Sequence, residues 1–156
     1  IFTRTKHGAR NLARKLKAIG GHAATDIHSN LSLPQRRKAL EGFKSGRYRV
    51  LVATDIAARG IDVYGIELVV NFDLPSNSED YVHRIGRTGR AGRTGRAVSF
   101  ATFDQRGEVK SIEQLIRTAL PVTALPALPS VHPKSHPARP PQPSRRSHYG
   151  RPLRRY

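Results

Sequence analysis

The chain has 156 residues, enough for one domain with a real core, and carries 28 Lys and Arg against 11 Asp and Glu, a net charge of +17. So large an excess points to a polyanionic partner, nucleic acid ahead of an acidic membrane surface. The absence of cysteine excludes disulfides, cysteine-bound zinc and thiol chemistry, and no apolar run approaches the roughly 20 residues of a membrane-spanning helix or forms a signal peptide, so a reducing, cytoplasmic setting is expected.

In chain order, residues 1–5 (IFTRT) read as the end of a strand already under way, and there is no methionine at position 1 or elsewhere. A piece of a longer protein is the expectation. Residues 7–19 place Ala9, Leu12, Ala13, Leu16 and Ile19 on one helical face, stopped by Gly20-Gly21. Residues 23–27 form a weak strand. Ser32 and Gln35 have capping-box spacing with Pro34 in the first turn, opening a helix to about Lys44. Residues 49–53 (RVLVA) make a short buried strand, followed by a loop rich in small residues, and 67–72 (ELVVNF) make another. Ser76 and Glu79 have the spacing of a second capping box for a helix toward Arg84. A strand at 97–101 follows, then a helix capped by Asp104 with Val109, Ile112, Ile116 and Ala119 on its apolar face.

Composition changes near residue 120. Residues 121–156 hold nine of the eleven prolines, seven basic residues and no acid, and the preceding 120 hold 21 basic and 11 acidic residues. The body, residues 1–120, thus carries about +10. Residues 121–156 cannot bury enough apolar surface to offset their ordering entropy and are expected to be disordered, serving as a linker or as a basic arm on RNA. In the body, strands separated by helices predict an α/β fold: a mostly parallel sheet with helices on both faces. Ligands of such sheets bind beyond the carboxyl ends of the strands, where TRTK, HSN and TDIAARGID fall.

Two segments carry chemistry. In TDIAARGID, the strand delivers Thr54 and Asp55 to its tip, small residues and Gly60 keep the following loop thin, and Asp62 can accept hydrogen bonds from a ribose; an ordinary tight turn with Asp62 as a cap fits equally well. In HRIGRTGRAGRTGR, residues 83–96, five arginines and four glycines alternate. A collagen period is excluded by its brevity and lack of proline. A disordered Arg/Gly tract or a solvated basic face is possible. The third reading is a polyphosphate, because like charges three and four residues apart repel on a helix unless an anion meets them, and arginines stabilise the charge that builds up in phosphoryl transfer. No GxxxxGK[ST] loop is present, and Glu79-Asp80 suit the first turn of a helix better than a Mg²⁺ site. The chain thus holds half of a nucleotide site.

The ordered segments FTRTK, ATDIAARGIDV and YVHRIGRTGRAG closely resemble the C-terminal RecA-like domain of DEAD-box ATP-dependent RNA helicases, over about residues 1–118. The resemblance implies that Arg87 and Arg90 are arginine fingers reaching the ATP γ-phosphate. It places Gly60 and Asp62 at the ATP ribose, Arg59, His83 and Arg84 in the network that joins two lobes, and Thr5, Ser29, Asn30, Arg36 and Thr54 on the RNA backbone. Arg93 and Arg96 lie beyond the motif, as plain basic surface or as the lead into the next strand. The Gln that the family often has in the segment after the HGD-like turn is replaced by Leu33, which puts its contact in doubt. Partners are then RNA, bound largely without regard to sequence, and an N-terminal RecA-like lobe that supplies the phosphate loop and the Mg²⁺ ligands. The chain alone is expected to be inactive. A non-catalytic RNA-binding module and a lobe of a DNA-directed helicase are the alternatives.

Overall fold

The sheet is assembled around the first three residues. β1 (Ala24–Ile27) pairs in parallel with β2 (Val50–Ala53), and β3 (Leu68–Asn71) pairs in parallel with β4 (Arg96–Ser99). Phe2 joins the two halves, paired in parallel with both Ala53 and Asn71. The spatial order is β1, β2, the opening segment, β3, β4. Backbone bonds alternate as a parallel ladder requires. Phe2 N–H donates to Val70 O at 2.7 Å, while Ile1 N donates to Leu51 O at 2.8 Å and Thr3 N–H to Ala53 O at 3.0 Å. The computed structural model describes residues 1–123, of which Ile1–Pro121 form a compact unit. The tail expected to be disordered lies outside the described residues from 124 onward.

Alternation along β2 divides the core. Val52, with Val50 and Ile1, meets Ala9, Leu12, Ala13 and Leu16 of α1 (Lys6–Gly20). Leu51 and Ala53, with Phe2, Ile27 and Val69, face the other way, toward Leu40 and Phe43 of α2 (Leu33–Lys44) and Ala57 and Ala58 of α3 (Asp55–Ala58). Side chains of successive strand residues point to opposite faces, so helices cover both sides of a parallel sheet. A third cluster joins Leu74 to Tyr81 of α4 (Ser78–Ile85) and Ile112 of α5 (Arg106–Ile116).

Local chemistry sets the helix ends. Thr5 caps α1, and Gly21 ends it with φ 58, a left-handed value open to glycine. Ser32 and Gln35 form the expected capping box on α2. α4 is capped one residue later than expected, by Asn77, whose Oδ1 accepts from Asp80 N–H at 2.7 Å, so Ser76 lies outside it. Ahead of α5 is a single 3₁₀ turn, Phe103–Gln105, with Thr102 rather than Asp104 at its cap. Arg117, at φ 55, ends α5, which leaves Ala119 off the helical face where it was expected. The loop expected after β2 contains the one-turn α3.

Candidate nucleotide and RNA site

Because all the strands run parallel, their carboxyl ends share one edge, and the segments with candidate roles collect there. Thr5 is exposed and its Oγ1 accepts from Gly8 N–H at 3.0 Å, which leaves the hydroxyl proton for another acceptor. Ser29 and Asn30 are exposed in a turn organised by buried His28. Its carbonyl accepts from Leu31 N–H at 3.1 Å and its Nδ1 from Asn30 N–H at 3.3 Å. Lys6 Nζ donates to Asn30 Oδ1 at 3.1 Å and ties the first loop to the second. Thr54 stands half-buried at the N-cap of α3, but its hydroxyl makes no capping bond. Arg36 reaches from α2 to donate to Ala57 O at 3.2 Å. Leu33 is 62% exposed, while Gln35 is committed to the α2 capping box, donor and acceptor to Ser32.

On the nucleotide side, Gly60 turns the chain after α3 with φ 74, which brings Ile61 and Asp62 toward the end of α4. Arg87 donates through one terminal nitrogen to Ile61 O at 2.7 Å and through Nε to His83 O at 3.2 Å. Arg90 donates through Nε to Gly86 O at 2.6 Å and forms an ion pair with Asp62 Oδ1 at 3.3 Å. Beside them, Asp80 lies 3.8 Å from both Arg59 and His83, whose side chains are each 73% exposed. A shallow pocket of about 190 Å³ opens between Arg59, Gly60, Asp80, His83 and Arg87. The candidate ribose carboxylate and both candidate fingers are thus within one side chain of each other.

Arg84, expected in the network that joins two lobes, makes its bonds inside this one. It is 2% exposed and forks onto Asp55 with bonds of 2.6 and 2.7 Å. Its third nitrogen donates to Asn71 Oδ1 at 3.1 Å and Asp73 O at 2.7 Å, and its guanidinium carbon lies 5.1 Å from the centre of the Phe2 ring. With four of five N–H groups donated inside the lobe, it has no free face to reach a second one. It ties α4 to the ends of β2 and β3. Sequence reasoning missed Asp55, Asn71 and Asp73 as its partners; a signal was present in Asn71, a polar residue inside the apolar run ELVVNF.

The Arg/Gly stretch is folded. α4 ends in it, Thr88 Oγ1 donates to Ile66 O, and β4 begins at Arg96. Gly89 takes φ 68, and a Cβ on Gly95 would strike Thr88 Oγ1 and the Gly89 backbone. These glycines let the chain fold tightly back on itself after Thr88. Arg93 and Arg96 are exposed. Among the described residues, no cluster of three or more His, Cys, Asp or Glu could hold a metal, and no helix is long and apolar enough to cross a membrane.

A two-faced parallel α/β sheet with its candidate site loops on one edge is the architecture of a RecA-like lobe. Residues 1–92 match the helicase conserved C-terminal domain. RNA helicase CrhR of Synechocystis is 45% identical over 126 residues, which are 81% of this chain and 25% of the relative. The crystal structure of the Escherichia coli DEAD-box protein SrmB, bound to regulator of ribonuclease activity A, superposes with a TM-score of 0.72 at 33% identity over 81% of this chain and 79% of that one. Saccharomyces cerevisiae Dbp5 bound to RNA and ADP BeF3 gives a TM-score of 0.67 at 38% identity over 72% and 30%. The chain belongs to the helicase conserved C-terminal domain family, as a DEAD-box C-terminal RecA-like domain. It spans about a quarter of the length of CrhR.

Proposed function

We propose that this chain is the C-terminal lobe of an ATP-dependent RNA helicase, supplying Arg87 and Arg90 as fingers to ATP and part of the surface that holds RNA for local duplex separation. The convergence of Arg87, Arg90 and Asp62 beside Gly60 carries the reading. Asp62 would accept the ribose hydroxyls, and the arginines would meet the γ-phosphate, where they stabilise the charge of the transition state. Arg59, Asp80 and His83 form an exposed polar cluster suited to contact with an N-terminal lobe, which would bring the phosphate loop and the Mg²⁺ ligands. Thr5, Ser29, Asn30 and Thr54 would bind the RNA backbone, with Arg36 buttressing α3. By this reading, residues 1–120 act as the lobe, and the chain alone neither hydrolyses ATP nor unwinds RNA.

The test is RNA-stimulated ATP hydrolysis by this lobe joined to an N-terminal RecA-like lobe, with Arg87→Ala in parallel. A fall of roughly 10³-fold or more, the scale of an arginine finger, with RNA binding retained, is expected. Unchanged turnover would assign the arginines to RNA or solvent instead, and ATPase from the chain alone would refute the half-site. Competition between RNA and DNA of one sequence decides the substrate.

A further inference from the structure

α1 carries an unexplained row of charge. Lys6, Arg10, Arg14 and Lys17 are all exposed, and the first 25 residues contain no Asp or Glu. At 100° per residue the four lie within an arc of about 80°. At 1.5 Å per residue they extend about 16 Å along the helix. Among the described residues, no ion pair involves any of them. Their polar contacts there are neutral: Lys6 to Asn30 Oδ1 at 3.1 Å, and Arg14 to Asn11 Oδ1 at 3.2 Å. Like charges at i, i+4 weaken a helix, and this row has two such steps in succession, Lys6 to Arg10 and Arg10 to Arg14. An extended anion laid along the row would reverse that cost.

We propose that this ridge binds the phosphate backbone of single-stranded RNA leaving the lobe's edge. The inference rests on the RNA-surface reading above and lengthens that surface. Two observations favour RNA over an acidic protein or membrane. The ridge begins where the expected RNA loops end, since Thr5 caps α1 and Lys6 holds Asn30. Its cations also recur about every 6 Å along the axis, in single file, as a backbone of regularly spaced charges demands. A lipid surface would be met by cations with apolar side chains between them; here Ala9, Leu12, Ala13 and Leu16 are turned to the sheet, and the exposed Ile19 lies about 180° around α1 from the centre of the row.

The test measures binding of the full chain to a fluorescently labelled single-stranded RNA oligonucleotide by anisotropy across a salt series. The ridge variant is K6Q/R10Q/R14Q/K17Q. A control, R37Q/K38Q/K44Q/R47Q, removes the same charge from exposed positions in and just after α2. Glutamine has nearly the helix propensity of lysine and arginine, and circular dichroism verifies that both variants fold. Each lost phosphate contact lowers the salt slope by about 0.7. The ridge variant should therefore show a slope shallower by about 2 to 3 and at least tenfold weaker binding at low salt, with the control changed by much less. Equal losses in both variants would mean diffuse charge and overturn the ridge. So would an intact ridge variant beside a wild-type chain that binds RNA, or a loss confined to vesicles of anionic lipid. A wild-type chain without salt-dependent RNA binding would instead overturn the underlying RNA-surface reading.

Discussion

Arg84→Ala is the sharpest test of how this lobe is held together. The substitution removes the forked partner of Asp55, one acceptor bond of Asn71 and one of Asp73 O, and the cation stacked on Phe2. Asn71 is wholly buried and keeps only its donation to Ser99 Oγ at 3.0 Å. Deleting one partner of a buried ion pair costs about 3–5 kcal/mol. The Asp55 side chain is 26% exposed and can recover some hydration, so the low end, about 3 kcal/mol, is expected. A domain of this size has only about 5–15 kcal/mol in total. At on the order of 4 °C per kcal/mol, the melting temperature should fall by roughly 12 °C. Urea denaturation of the chain alone, followed by circular dichroism, measures the loss. Arg84→Lys should lose less but not recover, because an ammonium cannot fork across a carboxylate. Pairing Arg84→Ala with Asp55→Ala should give a coupling energy of about 2 kcal/mol or more. A residue whose work lay between lobes would leave the isolated lobe's stability unchanged, so a loss below about 1 kcal/mol would refute this assignment.

Two further outcomes follow from the Arg/Gly turn. Gly95→Ala drives a Cβ into the Gly89 backbone and should cost about 1–3 kcal/mol in thermal unfolding. Ala91→Gly should instead gain up to about 1 kcal/mol, since Ala91 sits at φ 54. The opposite order of these two melting temperatures would mean that the turn is not held as described.

The elements legible in the sequence were those fixed by local chemistry. The α2 capping box, the short buried strand at VLVA, and the apolar face of α1 each depend on residues within one or two turns, and the structure has them in place except for Ile19, which stands 85% exposed at the end of α1. The opening segment read as a strand end, yet nothing local showed that Phe2 would bridge two strand pairs. That depends on Ala53 and Asn71, 51 and 69 residues away. The slip at α4 arose from two adjacent caps, Ser76 and Asn77, between which sequence spacing cannot choose; the bond from Asp80 N–H to Asn77 chooses. α3 was hidden because a single helical turn has no period to detect. The site loops were visible as motifs, but the burial of Arg84 was not, because burial is a property of the assembled lobe.

Under the proposed function, that difference in burial separates structure from chemistry within one motif. Arg84, Arg87 and Arg90 follow each other at three-residue spacing, and spacing alone gives them equal standing. The Arg84 pair is buried and bidentate, so breaking it costs several kcal/mol. The Arg90 pair is single, 3.3 Å long, and made to an Asp62 side chain that is 61% exposed, which puts it among surface pairs worth about 0–1 kcal/mol. Arg87 is held by neutral carbonyls alone. Under the proposed function, a triphosphate with several negative charges would outcompete both sets of acceptors at little cost. The same step would release the Asp62 carboxylate for a ribose hydroxyl. A guanidinium that must move during turnover needs weak, solvent-accessible anchors, and one that must hold α4 still while it moves needs strong, buried ones. The motif supplies both kinds because α4 ends at Gly86, after Arg84 and before Arg87, so the first arginine points into the sheet while the next two leave with the turn.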